Sequence, residues 1–211
     1  STVTSWSTAK SFTSILIGMA IEQGLIQAAS QSASDFIDEW KVDDRASITI
    51  QQLLDMRSGL VPKCSSFETA VVGECGDYPS ASSGGDILYA ADQLSGCIDR
   101  EFAVPGTSYP WVSPQGDGAY EAGQFYYSNC DTQVLGEIIF RATGQDAGLF
   151  AQQNLFEPLN MAADWWRDDV ETGQANGNYL TYCCLDSTAR DFAKFGYMLL
   201  LGGIETSEGQ S

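Results

Sequence analysis

The residues that most constrain this chain lie between positions 8 and 26. There Phe12, Ile15, Leu16, Ile17, Met19, Ala20, Ile21, Leu25 and Ile26 cover most of the circumference of a helix. Such a helix is expected to be buried on nearly all sides, at the centre of a domain. Its entrance is Ser7-Thr8-Ala9-Lys10, in a chain with no histidine. A serine nucleophile needs a base, and a lysine three residues on shares its helical face. Ser7 would stand where the positive end of the helix and its N–H groups stabilise an oxyanion. Lys10, walled by apolar neighbours, would be pushed toward its neutral form and so become a proton acceptor. The other reading of Lys10 is an exposed first-turn lysine. Of the four lysines, however, it alone follows a serine by three and opens an apolar helix.

Composition narrows the function classes. The 211 residues suffice for a single region with a real core, 44% hydrophobic and 11% aromatic. A net charge of −18, from 28 acidic against 10 basic residues, makes nucleic acid and anionic membrane poor partners. Acidity of this degree is a solubility device or the mark of a salty setting. No apolar run is long enough to span a membrane. An even set of cysteines (Cys64, Cys75, Cys97, Cys130, Cys183 and Cys184) points to an oxidising compartment, periplasmic or secreted. Zinc is the competitor, but the chain lacks histidine and any Cys-x-x-Cys spacing, so neither a metal nor another cofactor is expected. Cys64–Cys75 would close a short loop. Adjacent Cys183 and Cys184 could pair only in a strained ring, so separate partners or free thiols are expected for them.

Further along, Thr49 followed by Gln52 is a capping-box pattern for a helix ending at Gly59. Residues 64–85 read as a surface excursion, and residues 86–97 as a short helix capped by Asp86. Residues 102–123 form an irregular loop with several prolines and glycines. Helical spacing returns over 131–142, stopped by Gly144, and over 147–156, stopped by Pro158. Residues 164–182 are loop-like. The last helix covers about 188–201, with Ser187 as cap and Gly202-Gly203 as terminator. Convincing strands are scarce.

A second chemical signal is Tyr127-Ser128-Asn129, between a glycine-rich loop and a helix start. A phenol beside an ammonium has its pKa lowered and can relay protons. Asn129 can donate to a substrate carbonyl and accept from a lysine at once. As alternatives, an aromatic there packs and an asparagine caps. Trp111 and Trp165, with Tyr109 and Trp166, lie on loops flanking this element. They either wall an apolar acyl pocket or close the core under long loops.

Taken together these segments resemble a known family. Ser7-Thr8-Ala9-Lys10-Ser11-Phe12-Thr13 looks like the nucleophile helix of serine β-lactamase-like hydrolases, and Leu53-Leu54-Asp55-Met56-Arg57-Ser58-Gly59-Leu60 like their downstream segment. Phe125-Tyr126-Tyr127-Ser128-Asn129 matches their Tyr-x-Asn element. Phe156-Glu157-Pro158-Leu159-Asn160-Met161 resembles their Pro-Leu-Gly-Met, with Asn for Gly, and residues 188–203 complete the order. The flavour is closest to the class C β-lactamase-related group, which includes 6-aminohexanoate-dimer hydrolases and serine esterases.

The resemblance implies an α+β, β-lactamase/transpeptidase-like fold. It also implies an acyl-enzyme on Ser7 that cleaves small amides or esters, with proton work shared by Lys10 and Tyr127. Asn129 would position Lys10 and the substrate, and the Ser7 N–H would be one oxyanion donor. Alternatives are a D-alanyl-D-alanine peptidase or β-lactamase, or a β-lactam-recognising module without turnover. The family's strands before the nucleophile helix, and its C-terminal Lys-Thr-Gly-like strand, have no counterpart here. Lys194-Phe195-Gly196 falls inside a predicted helix. Residues 1–211 are therefore expected to be the mainly helical part of a larger domain, truncated at both ends and lacking most of the central sheet. Companion segments of the same hydrolase are the expected partners.

Overall fold

The computed structural model describes residues 1–61, 92–104, 123–168 and 177–203. Its spine is α1 (Ala9–Glu22), entered through a 3₁₀ turn at Trp6–Thr8. Phe12, Thr13, Leu16, Ile17 and Ala20 are buried on one face. Contrary to the all-round burial expected, Ser11, Ser14 and Gly18 form an exposed stripe. These positions recur at helical spacing, so the small and polar residues gather on one side, and Ile15, Met19 and Ile21 flank them half-buried. The helix also stops before Leu25, because the chain turns through Gly24 at φ 71°. Leu25 is exposed, whereas Ile26 folds back into the core.

The capping box at Thr49 forms: Gln52 N–H donates to Thr49 Oγ1 at 3.2 Å and Thr49 N–H to Gln52 Oε1 at 2.8 Å. The helix it opens, α2 (Ile50–Leu54), ends before the expected Gly59. Met56 has already taken a left-handed backbone at φ 52°. Among the described residues the next helix is α3 (Gln93–Ile98), capped by Asp92; the expected cap Asp86 lies outside them. Ser128 caps α4 (Asn129–Thr143), which Gly144 closes in the left-handed conformation. α5 (Ala147–Ala151) runs on into a wide π turn, Gln152–Phe156. After it, Asn160 holds φ 49°, a backbone that asparagine tolerates better than most residues. That explains how asparagine can stand where the family motif has glycine.

Three short strands form one antiparallel sheet in the order β1 (Thr2–Thr4), β3 (Leu185–Thr188), β2 (Ala163–Trp165). Val3 and Ala163 both register with Ser187. The expectation of loop over 164–182 is thus corrected at its start, since strands this short carry too little alternation to be read. Ser187 lies in β3, and Thr188 instead caps α6 (Ala189–Leu200), accepting from Asp191 N–H at 3.2 Å. Lys194 sits within α6 as expected and pairs with Asp191 at 2.6 Å.

α1 packs on α4 and against α5 with its π turn. Phe12 anchors the seam: its ring stacks on Phe195 at 3.7 Å and meets Phe156 and Phe192 edge-on. Burying a side chain of this size contributes roughly 1.5–3 kcal/mol. The Cys97–Cys130 disulfide ties α3 to the first turn of α4. The expectation for Cys183 and Cys184 is overturned, because the two are bonded to each other. The ring is accommodated because Cys184 adopts φ 67°. The suggested Cys64–Cys75 pair lies outside the described residues.

Candidate active site

The Ser7 hydroxyl, on the 3₁₀ turn leading into α1, is exposed, and Lys10 sits one turn further in. Lys10 Nζ donates to Ser7 Oγ at 3.3 Å, to Asn129 Oδ1 at 2.7 Å and to the Tyr182 carbonyl at 2.8 Å. It lies 4.8 Å from the centre of the Tyr127 ring and 5.6 Å from that of Tyr182. No ion pair of Lys10 is found among the described residues. Burial therefore acts on it unopposed and lowers its pKa to about 7. At neutral pH a substantial fraction is a free amine beside a serine hydroxyl, which is what proton abstraction requires. No hydrogen bond of the Ser7 N–H is found among the described residues, which leaves it available to an oxyanion.

The structure thus brings Ser7, Lys10, Tyr127 and Asn129 together from α1 and the start of α4, more than a hundred residues apart in sequence. The segment at 53–60 explains how. Tyr126 N–H donates to the Met56 carbonyl at 2.9 Å. Ser58 and Ser128 hydroxyls both donate to the buried Asp131 Oδ1, at 2.8 and 2.9 Å. The turn after α2 therefore clamps the loop that presents Tyr127, whose side chain stays half-exposed. Burial pushes the Asp131 carboxyl up to about 6, opposed by its serine hydrogen bonds and the charge of Arg100.

Behind Lys10 runs the strip at residues 179–185. Thr13 Oγ1 on α1 donates to the Thr181 carbonyl at 2.7 Å. From α4, Gln133 accepts from Thr181 N–H at 3.1 Å and donates to the Tyr179 carbonyl at 2.8 Å. Gly136 lets the strip approach, since a side-chain carbon there would lie 2.5 Å from Thr181 Oγ1. The Tyr182 hydroxyl donates to Gln93 on α3 at 2.6 Å. Apart from Thr13, which closes the nucleophile-helix motif, none of these supporting residues carries a sequence signal. The Ser58–Asp131 link joins two segments already flagged, so only the pairing was missed. The Tyr182 carbonyl carried no signal, because every residue has one.

The tryptophans separate. Trp165 is buried in the core, its indole donating to the Cys183 carbonyl at 2.9 Å. Of its two readings it takes the one that closes the core, because its place on β2 points it inward. Trp166, just beyond the strand, is exposed and donates to Asp186 at 3.0 Å. Trp111 lies outside the described residues. An aromatic not singled out, Trp6, is exposed immediately before Ser7. No cluster of three or more metal-ligating side chains occurs among the described residues.

Comparison with known proteins follows the same lines. Residues 114–211 match the family model described as Beta-lactamase. A 6-aminohexanoate-dimer hydrolase of Paenarthrobacter ureafaciens is 26% identical over 199 residues, covering 94% of this chain and 45% of that protein. A Bacillus anthracis structure described as a candidate 6-aminohexanoate-dimer hydrolase superposes with a TM-score of 0.64 at 24% identity, over 97% of this chain and 48% of that one. A class C β-lactamase of Rhodobacter sphaeroides gives 0.60 at 18% identity, over 98% and 54%. This chain spans about half the length of these relatives. The fold is β-lactamase/transpeptidase-like, and the chain covers mainly its helical part.

Proposed function

We propose that this chain, whose residues 114–211 match the Beta-lactamase family model, is a serine hydrolase that uses Ser7 to form an acyl-enzyme with small amides or esters. The observation that carries the reading is Lys10 Nζ held between Ser7 Oγ at 3.3 Å and Asn129 Oδ1 at 2.7 Å, without a carboxylate partner among the described residues. Ser7 Oγ attacks the carbonyl carbon while its proton passes to neutral Lys10. The Ser7 N–H stabilises the oxyanion, and Tyr127 shares in delivering the proton to the leaving amine or alcohol. Water then attacks the ester on Ser7, its proton accepted by the same pair and passed to Ser7 Oγ as the C–O bond breaks and the acid is released. Asn129 orients Lys10 and contacts the substrate. Exposed Trp6, immediately before Ser7, offers apolar surface beside the nucleophile, suited to an aliphatic acyl chain.

The relative named for a dimer of an aminoalkanoic acid, aligned along 94% of the chain, favours amide or ester hydrolysis over a peptidase or β-lactamase role. Companion segments of the same hydrolase would supply the second oxyanion donor. The two described disulfides suit a periplasmic or secreted protein. The test is mass spectrometry after exposure to a fluorophosphonate and, separately, to penicillin. The reading expects a fluorophosphonate adduct on Ser7 and turnover of a small ester without lasting penicilloylation. A stable penicillin adduct transfers the assignment to the peptidase or recognition module, and no adduct with either reagent rejects the enzyme.

A further inference from the structure

The strip behind Lys10 contains a disulfide between neighbours, Cys183–Cys184, both of them buried. Closing a ring through a single peptide bond stiffens the backbone that carries it, removing local torsional freedom. That backbone holds both halves of the nucleophile–base pair. One residue before the ring, the Tyr182 carbonyl accepts from Lys10 Nζ at 2.8 Å. Within it, Cys184 N–H donates at 3.3 Å to the carbonyl of Trp6, the residue preceding Ser7. One residue after it, Leu185 exchanges hydrogen bonds with Ser5, N–H to Oγ at 3.0 Å and carbonyl from N–H at 2.8 Å. From the far side, the Trp165 indole holds the Cys183 carbonyl at 2.9 Å and Trp166 N–H the Cys184 carbonyl at 3.0 Å.

Two linked positions adopt a backbone unusual for their residue types: Trp6 at φ 47° and Cys184 at φ 67°. Non-glycine residues persist there when their surroundings over-determine them, and such positions cluster at functional sites. Here the ring fixes Cys184, and Cys184 in turn fixes Trp6.

We propose that the Cys183–Cys184 disulfide is a positioning element that holds Lys10 against Ser7 by locking the strip to which both are tied. The proposal rests on reading Ser7 and Lys10 as nucleophile and base. It makes the pair conditional on redox state. A dithiol would break the S–S bond to give two thiols while itself being oxidised to a disulfide, two electrons and two protons passing to the protein. Cys184 could then leave the left-handed region, the Tyr182 carbonyl would move off Lys10, and water would enter. The groups facing Lys10 are the Tyr127 and Tyr182 rings, the Ser7 hydroxyl and the Asn129 amide. With no ion pair among the described residues, its proton affinity follows how dry the strip keeps it.

The test labels the four lysines with ¹³C at Cε and follows Lys10, assigned by the signal absent in Lys10→Met, through a pH titration. The parent, the parent treated with dithiothreitol, and a Cys183→Ala/Cys184→Gly variant are compared. Glycine accepts the left-handed backbone without strain, so the variant removes the ring without forcing misfolding. Opening the ring either way is expected to raise the Lys10 midpoint by about one pH unit, a roughly tenfold loss of free amine below it. Fluorophosphonate labelling of Ser7 falls by about fivefold at neutral pH and by about tenfold well below it. An unchanged midpoint in both the variant and the reduced parent overturns the proposal. A shifted midpoint in a protein whose Ser7 never labels supports the disulfide's hold on Lys10 and rejects instead the nucleophile reading.

Discussion

Lys10 and Arg141 are cations on neighbouring helices, α1 and α4, treated in opposite ways. Arg141 is enclosed by carboxylates: its Nε meets Glu137 at 2.6 Å and its Nη1 meets Glu39 at 2.8 Å, while the Phe36 carbonyl accepts from it at 3.0 Å. Its pKa is raised, chiefly by the Glu39 hydrogen bond, and the same bond draws Glu39 down to about 2. Lys10 has amide, hydroxyl and carbonyl oxygens around it and aromatic faces beside it, and burial brings it down to about 7. A paired cation is fixed in its charge and serves the fold. A buried cation without such a partner among the described residues can gain and lose a proton near neutrality, as a general base must.

The contrast extends to stability. Folding lowers the Lys10 pKa from 10.5 to about 7, so between these values the folded chain binds fewer protons than the unfolded one. Its contribution to stability therefore rises with pH across that window, and the burial penalty is felt in full below it. Glu39, also lowered on folding, from 4.5 to about 2, contributes stability that is present above the upper value and lost as acid approaches the lower one.

The comparison can be broken most directly at Lys10. Lys10→Met is expected to reduce the rate of Ser7 labelling by about 10²–10⁴-fold, the range of a positioned general base, and labelling near the parent rate would remove Lys10 from the chemistry. Arg141→Met should do the reverse. Left without its partner, largely buried Glu137 destabilises the fold by about 1–3 kcal/mol in urea unfolding, while labelling of the still-folded protein stays within about twofold of the parent. Finest is Asp131, which is structural yet adjoins the site. Asp131→Ala strands the Ser58 and Ser128 hydroxyls and should cost about 1–2 kcal/mol. Asp131→Asn keeps the accepting oxygen and should cost under about 1 kcal/mol. Equal losses in the two variants would mean that packing, not the serine clamp, is what Asp131 supplies.

Much of the site was legible because its signals are local. Ser7 and Lys10 are a helical turn apart, the Thr49 box and the Ser128 cap sit beside their helices, and Tyr127 with Asn129 forms a single tripeptide. The exposed side of α1 is less legible, because the apolar residues around it outnumber the stripe of Ser11, Ser14 and Gly18 that faces outward. β1, β2 and β3 were missed because three or four residues cannot display a period of two. The Tyr182 carbonyl is a backbone group and has no residue signature. The Cys183–Cys184 ring was rejected on grounds of strain, which is local, whereas its support from Trp6, Trp165 and Trp166 is tertiary. What fails to show in such a chain is the scaffold behind a site, since it is built from backbone and from pairs distant in sequence.

In this reading Ser7 is activated by a half-buried lysine that has no ion pair among the described residues. The pH dependence of fluorophosphonate labelling at Ser7 tests it most directly. Labelling should rise with pH along a single titration centred near 7, fall about tenfold for each pH unit below it, and level off above. A rate flat across this range, or one still climbing toward the ordinary lysine value of 10.5, would contradict it.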